Sequence, residues 1–261
     1  MTLPASAAEL PQRVFSPIAR GYDGHAQALS LLQYRRWHRF LLSRLPLPFP
    51  MPIGDRTASP SARAEALEVR AGPTAIRVLD MATGTGALAF DLLGRPVVHV
   101  VAGDITRSML LQAQARRWPD GSRPHLLQCT AEAPPFAEAS FDAVVFAYLL
   151  RYVSDVPATL NRLAGLLRPG GTMASLDFGV PAGPAYPLWR LYTDIVLPAA
   201  GALFSPAWRR VGGFLGPSIR DFYRRWPQGR LLQAWRDAGM ADAQARRLSL
   251  GGALVVWGSK E

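Results

Sequence analysis

The chain has 261 residues, of which 49% are apolar, and it carries a net charge of +10 from 29 basic and 19 acidic residues. This size is enough to bury a full core, either as one large domain or as a domain with a cap. The single cysteine, Cys129, excludes a disulfide framework and a cysteine-based zinc site, so we expect a reducing compartment and no bound metal.

The sequence also limits how the chain can meet a membrane or a nucleic acid. Its first residues lack the basic region and apolar core of a signal peptide, and no apolar run approaches the roughly 18 residues of a transmembrane helix. Every basic residue except Lys260 is arginine, with no run of five or more and no nucleic-acid-binding motif. We therefore expect a soluble cytoplasmic protein without a specific nucleic acid partner, whose charge permits contact with the inner face of the membrane.

Residues 1–73 are predicted to form a helical lid and a linker. The first 12 residues show no periodicity, and a helix with one apolar and one basic face is expected at 26–45. Residues 46–73 are rich in Pro, Ala, Ser and Gly, which is typical of a linker. The helix either packs on the following domain with a solvated basic face or guards a lipophilic substrate.

Residues 76–93 predict a strand, a tight turn and a helix. Apolar branched residues run up to Asp80 and Met81, glycines follow at Gly84 and Gly86, and apolar residues then recur at helical spacing. Such a unit builds the first crossing of an open α/β sheet, where ligands bind at the carboxyl ends of the strands. Glycine lets the backbone turn sharply there and lets a ligand approach closely.

Two kinds of nucleotide site compete for this turn. A phosphate loop would need Gly-Lys-Ser/Thr, which is absent, whereas a dinucleotide site is compatible because alanine is tolerated as the third residue of G-x-G-x-x-G. A carboxylate at Asp80 would repel a pyrophosphate but suits a cationic ligand such as the amino-acid end of S-adenosylmethionine. Asp104, which ends the next apolar run, suits ribose hydroxyls. The two acids favour a class I methyltransferase over an unrelated α/β protein in which they cap helices.

The remaining elements alternate in a way that predicts a parallel sheet. Strands are expected at 97–102, 125–129, 141–148 and 172–178, helices at 108–117, 155–167 and 231–238, and a closing hairpin at 246–249 and 253–258. The predicted fold class is α/β. Residues 74–261 would form a Rossmann-like methyltransferase domain with a mostly parallel seven-stranded sheet, a C-terminal antiparallel hairpin strand and a helical cap.

An insertion at about 182–228 supplies the cap. Between Tyr186 and Trp226 it is unusually rich in aromatic and aliphatic residues, and arginines are mixed among them. It is either ordinary core or a cover that admits a greasy prenyl tail from a membrane surface.

Over residues 15–260 the chain resembles the ubiquinone/menaquinone-biosynthesis C-methyltransferases, which are class I enzymes that use S-adenosylmethionine. The resemblance rests on the turn at 78–86 and on shorter matches at 15–19, 22–23, 29–30, 36–37, 104–110, 131–136, 150–153, 167–171, 218–219 and 251–252. The methyltransferase motifs are specific, and the elements at 22–23, 150–151 and 251–252 point to this branch.

The resemblance implies S-adenosylmethionine as the cofactor and a lipophilic quinol as the acceptor. The residues expected to bind the cofactor are Tyr22, Asp80, Ala82, Thr83, Gly84, Thr85, Gly86, Asp104, Ile105, Met109, Thr130, Ala131, Ala147 and Tyr148. The chain departs from the family pattern where Thr130 replaces an acid or amide beside the adenine and Ala147 replaces a serine. Leu149 and Tyr152 replace Gly and Asn, which adds bulk where the acceptor ring should sit.

Four side chains are candidates for catalysis. A ring carbon becomes nucleophilic when a neighbouring phenol gives up or shares its proton, and a cation nearby lowers the pKa of that phenol. Arg151 could supply this cation, although it could equally be a surface or helix-end arginine. Tyr152 and Asp177 could hydrogen-bond a hydroxyl or relay its proton, and His25 is the histidine considered as a base.

Three functions therefore remain open. The first is C-methylation of a prenylated quinol such as demethylmenaquinol. The second is methylation of another phenolic or polyketide-type metabolite, which the bulk of Leu149 and Tyr152 would favour. The third is a non-catalytic module with a methyltransferase-like fold, against which the intact Asp80, Gly84, Gly86 and Asp104 argue. A homodimer is compatible with each of them.

Overall fold

The computed structural model describes residues 9–47 and 75–261. Within these residues seven strands form one sheet: β1 Ile76–Met81, β2 Val98–Asp104, β3 His125–Gln128, β4 Phe141–Ala147, β5 Leu167–Phe178, β6 Gln244–Leu248 and β7 Ala253–Ser259. The strand order is β3-β2-β1-β4-β5-β7-β6. The first five strands are parallel, and β7 is antiparallel to both β5 and β6. The predicted sheet and its closing hairpin are confirmed.

Helices flank the sheet and cover its carboxyl edge. They are α1 Glu9–Phe15, α2 Tyr22–Leu29, α3 Tyr34–Leu42, α4 Ala87–Leu93, α5 Arg107–Ala115, α6 Val156–Gly165, α7 Ala185–Leu191, α8 Leu197–Phe204, α9 Pro206–Arg225 and α10 Gln228–Asp237. A π-helical turn, Tyr192–Val196, joins α7 to α8, and single 3-10 turns occur at Ser16–Ile18, Pro119–Gly121, Leu150–Tyr152 and Ser249–Gly251. Among the described helices, none combines the length and apolar character needed to cross a bilayer.

The central strands are buried on both faces, as their apolar sequences predict. Successive residues of β4 point to opposite sides, so that Val144 packs with α6 and α10 around Trp235, whereas Val145 packs with α3 and α4 around Leu92. The sheet thus carries one apolar layer on each side. This arrangement holds the carboxyl ends of β1, β2 and β4 at one rigid edge.

The segment at 168–171 differs from the prediction. It was expected to lie between a helix and a strand. It instead belongs to β5, which begins at Leu167. The pairing of β5 with β4 shifts register between Phe141 and Ala143 of β4. A Cβ on Gly171 would lie 3.1 Å from the carbonyl oxygen of Asp142. Glycine therefore allows the close approach of two strands that this irregularity needs.

The N-terminal region also differs, because the single helix expected at 26–45 is broken into α2 and α3. Leu31 and Leu32 adopt left-handed φ angles of 53° and 63°. The Gln27 side chain donates to the carbonyl of Leu32 (2.8 Å), and Ser30 Oγ accepts from the amide of Tyr34 (2.9 Å). Since these side chains take the place of helical partners, the helix stops without glycine or proline.

Helix α1, Glu9–Phe15, begins inside the segment 1–12 for which the sequence showed no periodicity. The predicted linker lies outside the described residues from 48 to its end at 73. The N-terminal helices and the insertion share a small apolar core, in which Ile18 packs with Trp208 and Val211. The cap is therefore built jointly by the two segments.

Candidate active site

A cavity lies at the carboxyl edge of the sheet, bounded by the glycine turn after β1. Ala82, Gly84 and Gly86 have left-handed φ angles of 61°, 57° and 82°, which fold the chain back between strand and helix. A Cβ on Gly84 would meet no atom within 4 Å, so its backbone faces open space. At Gly84 the backbone of the turn therefore faces the cavity directly, with no side chain in between.

Asp104 is fixed beside this turn. Its Oδ2 accepts from the amide of Gly84 (2.8 Å) and its Oδ1 accepts from the amide of Thr106 (2.7 Å). Burial raises the pKa of Asp104, and both amides oppose that rise. Each oxygen keeps a further lone pair, so the carboxylate can accept hydroxyl donors from a ligand in the cavity.

Asp80 lies beneath the turn instead of in the cavity. It is fully buried, and its Oδ2 accepts from the Thr83 hydroxyl (2.6 Å). Burial raises the pKa of Asp80 to about 7. This carboxyl group therefore holds the turn from below through Thr83.

Gly86 also serves the turn itself. A Cβ at this position would lie 2.7 Å from the Trp118 ring, so only glycine lets the turn pack against that indole. The other residues predicted for the cofactor line the cavity: Tyr22, Ala82, Thr83, Gly84, Thr85, Asp104, Ile105, Met109, Thr130, Ala131, Ala147 and Tyr148.

These residues fit S-adenosylmethionine. Asp104 matches the two hydroxyls of a ribose, and Ile105, Met109 and Ala131 provide the apolar walls that an adenine ring needs. The open backbone at Gly84 leaves room for the rest of the ligand. The cavity edge therefore combines a fixed acceptor for hydroxyls with a flat apolar slot.

A second, larger cavity of about 340 Å³ lies under the cap. Its walls come from α2, α3, the insertion and the turn between β6 and β7, and most of them are apolar. Five side chains line both cavities: Phe15, Tyr22, Tyr34, Tyr148 and Tyr152. We call these five the aromatic collar. The two cavities meet there.

Burial raises the pKa of every tyrosine in the collar, so each hydroxyl keeps its proton. The rings of Tyr34 and Tyr148 stack with centroids 6.4 Å apart. The Tyr148 hydroxyl is buried and has no hydrogen-bond partner within the described parts of the chain. The collar is an aromatic passage with a donor that a bound ligand can engage.

Arg151 lines the larger cavity next to the aromatic collar. Its Nε donates to Asp177 Oδ1 (2.8 Å), and the Arg151 side chain is 1% exposed. Burial tends to lower the pKa of Arg151, but Asp177 and Tyr152 raise it above its ordinary value, so the cation persists. The ring of Tyr152 lies 5.0 Å from the guanidinium carbon. A buried cation thus stands at the junction of the two cavities.

Of the four predicted catalytic side chains, two reach the cavities and two do not. Tyr152 and Arg151 do, whereas Asp177 lies behind Arg151 and holds it in place. His25 lines neither cavity, because its ring packs against Phe204 and Trp208 with centroids 4.3 and 5.2 Å away. His25 thus lies among the aromatic rings of the cap, outside the lining of both cavities.

A different histidine, which the sequence did not single out, faces the cofactor cavity. His38 is buried on α3, its ring lies 4.1 Å from that of Tyr34, and burial lowers its pKa to about 3. Its Nε2 finds no hydrogen-bond partner between residues 9–47 and 75–261. His38 follows Tyr34 by four residues, so a helix that begins at Tyr34 places both side chains on one face. The break before α3 was not predicted from the sequence.

The N-terminal cap is tied to the cofactor turn through Asp23. Its carboxylate accepts from the Thr85 hydroxyl (2.5 Å) and forms an ion pair with Arg116. The Nε of Arg116 in turn donates to the carbonyl oxygen of Thr85 (2.9 Å). These contacts fix the start of α2 against the turn that follows β1.

The resemblance seen in the sequence is borne out by known proteins. The model of the ubiE/COQ5 methyltransferase family matches residues 60–260. The chain is 31% identical, over 95% of its length and 89% of the relative, to a ubiquinone/menaquinone biosynthesis C-methyltransferase of Desulfotalea psychrophila. It is 34% identical, over 74% of its length and 77% of the relative, to a demethylmenaquinone methyltransferase of Thermus thermophilus.

Solved structures agree at the level of the fold. Magnesium protoporphyrin IX methyltransferase of Synechocystis, solved with S-adenosylmethionine bound, is similar over 100% of both chains with a TM-score of 0.56 and 12% identity. An S-adenosylmethionine-dependent methyltransferase of Thermotoga maritima matches 95% of this chain and 99% of its own, with a TM-score of 0.52 and 15% identity. The chain is an S-adenosylmethionine-dependent methyltransferase that belongs to the ubiE/COQ5 methyltransferase family.

Proposed function

We propose that the protein methylates a ring carbon of a prenylated quinol, with demethylmenaquinol as the nearest acceptor. The observation that carries this proposal is the junction of a cofactor cavity and a larger apolar cavity at the aromatic collar, with the buried cation Arg151 beside it. The names of the relatives from Desulfotalea psychrophila and Thermus thermophilus support the same acceptor class.

The cofactor supplies a methyl group on a positively charged sulfur, and the protein's task is to align an acceptor carbon with it. Arg151 would donate a hydrogen bond to the quinol oxygen and lower the pKa of that hydroxyl, which raises electron density on the neighbouring ring carbon. Asp177 positions the guanidinium and keeps it charged. The collar hydroxyls, protonated because they are buried, would orient the ring as donors.

The large apolar cavity would hold the prenyl tail. Leu29, Trp37, Trp189 and Leu197 contribute aliphatic and aromatic walls from four different elements. Because the acceptor itself is lipophilic, we also propose that the protein works at the inner face of the membrane as a peripheral protein. A homodimer remains a prediction from the sequence that none of these contacts requires.

A second acceptor class has one observation in its favour. Leu149 lines the cofactor cavity and Tyr152 lines both, and each is larger than the residue typical of the quinone branch. The added bulk would suit a smaller or differently shaped phenol or polyketide. A non-catalytic module, by contrast, is disfavoured by membership in a family of methyltransferases.

The test is a methylation assay with three acceptors. The protein is incubated with S-adenosylmethionine and, under anaerobic conditions, with a short-chain prenyl demethylmenaquinol, the same naphthoquinol without its prenyl chain, or a phenolic polyketide. We expect the prenylated quinol to be converted fastest, to a product that keeps both hydroxyls and gains a ring methyl by NMR. Conversion of the polyketide alone, or methylation on oxygen, would replace this proposal with the second acceptor class.

A further inference from the structure

We call the larger apolar cavity under the cap the acceptor cavity. Exposed leucines border its mouth. Leu31, Leu188 and Leu250 all line the cavity, yet they are 67%, 69% and 88% exposed. They come from three distant segments: the loop between α2 and α3, helix α7, and the turn between β6 and β7. Large aliphatic side chains that line a cavity and face solvent together mark its opening as an apolar surface.

Two of these segments hold their leucines in unfavourable backbone conformations. Leu31 and Leu32 have φ angles of 53° and 63°, and Leu250 has a φ of 57°. The left-handed conformation is unfavourable for a residue with a branched side chain, whereas Gly or Asn adopts it readily. Exposed leucine at these three positions therefore destabilises loops that glycine or asparagine could form more readily. It indicates that the side chains themselves have a use outside the fold.

The two strained loops are tied to each other. Ser249 Oγ donates to Gln33 Oε1 (3.2 Å) and accepts from Trp37 Nε1 (2.9 Å). Gln33 closes the loop that carries Leu31 and Leu32, and Ser249 precedes Leu250. The loop that carries Leu31 and Leu32 and the turn that carries Leu250 are thus joined by side-chain hydrogen bonds.

Helix α7 and the π-helical turn that follows it extend this apolar surface. Leu188, Leu191 and Ile195 are spaced as neighbours on one helical face, and they are 69%, 52% and 61% exposed. We define the leucine rim as Leu31, Leu32, Leu188, Leu191, Ile195 and Leu250. It flanks the cavity mouth from both sides.

The charge around the leucine rim is predominantly basic, and Asp194, which precedes Ile195 of the rim, is paired with Arg190 and Arg220. The segments 26–42, 178–193 and 244–252, all within the described residues, contain no Asp or Glu. The exposed arginines of these segments that form no ion pair are Arg35, Arg36, Arg39, Arg246 and Arg247. Anionic lipid headgroups attract such residues, so the surface matches a bilayer of negative charge.

We propose that the leucine rim inserts into the interface of a bilayer that contains anionic phospholipid, with the arginines on the headgroups. The acceptor cavity then opens into the acyl region, and a lipophilic acceptor enters without crossing water. The entry of the acceptor rests on the proposed function, whereas the membrane contact rests on the rim and its charge alone.

The test compares vesicle binding by the wild type and by a rim variant. Leu32→Asn, Leu191→Gln and Ile195→Gln together remove three rim side chains that do not line the cavity, and Asn suits the left-handed backbone. Leu111→Gln is the matched control, because Leu111 is 49% exposed on α5, beside β3 at the opposite edge of the sheet from β6. All proteins are sedimented with phosphatidylcholine vesicles that contain about one third phosphatidylglycerol.

We expect the wild type and Leu111→Gln to bind these vesicles, less so at high salt, and the rim variant to bind at least about tenfold more weakly. Calorimetry should give one affinity for S-adenosylmethionine in all three, which excludes misfolding. Equal binding by the rim variant, or no binding by the wild type, would overturn the proposal. So would a rim variant that binds vesicles normally but sediments as a smaller oligomer, because the rim would then join copies of the chain.

Activity separates this proposal from the proposed function. With a short-chain acceptor in vesicle-free buffer the rim variant should match the wild type, and with a long-chain acceptor embedded in vesicles it should fall about tenfold behind. If no protein methylates either acceptor while vesicle binding still depends on the rim, the proposed function fails and the membrane contact stands. Equal rates on the embedded acceptor would overturn the proposed entry route.

Discussion

The two cavities that meet at the aromatic collar are built on different principles. The cofactor cavity is framed by main chain and by Asp104, which two backbone amides hold in place at the edge of a doubly buried sheet. The acceptor cavity is framed by side chains of cap helices that join residues near both ends of the chain. Cofactor binding should therefore depend on a few fixed groups, and acceptor binding on packing that can be remodelled.

The largest effect is expected when Arg151, the buried cation where the two cavities meet, is replaced. Arg151→Met should lower kcat about 100- to 1000-fold with little change in cofactor affinity, because it deletes a preorganised donor on the acceptor side. It should also lower the free energy of unfolding by about 3–5 kcal/mol, since Asp177 is left buried without its partner. Steady-state kinetics, calorimetry and urea unfolding measure the three quantities.

The double variant Arg151→Met with Asp177→Asn separates the two effects. It should recover most of the stability and none of the activity. If it recovers activity as well, Arg151 serves only to neutralise Asp177, and the junction loses its catalytic role.

The frame of the cofactor cavity is tested by Asp104→Ala. We expect about 100-fold weaker binding of S-adenosylmethionine, because two amides lose their acceptor and the ribose hydroxyls lose theirs. Asp104→Asn, which keeps one acceptor oxygen, should lose less. Unchanged affinity in Asp104→Ala, measured by calorimetry, would contradict the comparison.

His38 should make the stability of the protein depend on pH. Its folded pKa of about 3 lies below the unfolded value, so the unfolded chain binds the extra proton and stability falls as the pH drops below about 6.5. Asp80 acts in the opposite sense, because its raised pKa makes the folded state bind a proton more tightly and stabilises it as the pH falls. A His38→Leu variant isolates the histidine. Between pH 7 and pH 5 it should lose about 2 kcal/mol less stability than the wild type in urea unfolding.

The smallest effect is expected at the link between cap and turn. Asp23→Asn keeps an acceptor for the Thr85 hydroxyl but removes the charge that pairs with Arg116. Because this pair is partly exposed, we expect S-adenosylmethionine to dissociate only about three- to fivefold faster in stopped-flow measurements. Glu9→Gln, which removes the exposed Arg13–Glu9 pair of α1, is the control and should leave the rate unchanged.

The frame of the cofactor cavity could be predicted from sequence because each part is local. Strand, turn and helix follow one another at 76–93, and parallel strands bring their carboxyl ends together. What could not be predicted is the direction in which each group points. Asp80 lies beneath the turn because β1 is buried on both faces, and no alternating pattern distinguishes those faces in the sequence.

The acceptor cavity was harder to predict because its parts are not local. Gln27 and Ser30 break the expected helix through side-chain hydrogen bonds that no glycine or proline announces. That break turns α3, which brings Tyr34 and His38 to the cofactor cavity, while His25 is left among the aromatic rings of the cap. A histidine near Tyr22 was foreseen as functional, but the histidine that reaches the site is thirteen residues further along the chain.

The shared core of Ile18 and Trp208 has a consequence for how the chain is made. Synthesis proceeds at about 5–20 residues per second, so the N-terminal helices leave the ribosome roughly 10–40 s before the α9 residues against which they pack. During that interval the apolar faces of α1 and α2 have no native partner from α9. The cap and the acceptor cavity are thus completed late in translation, once α9 has left the ribosome.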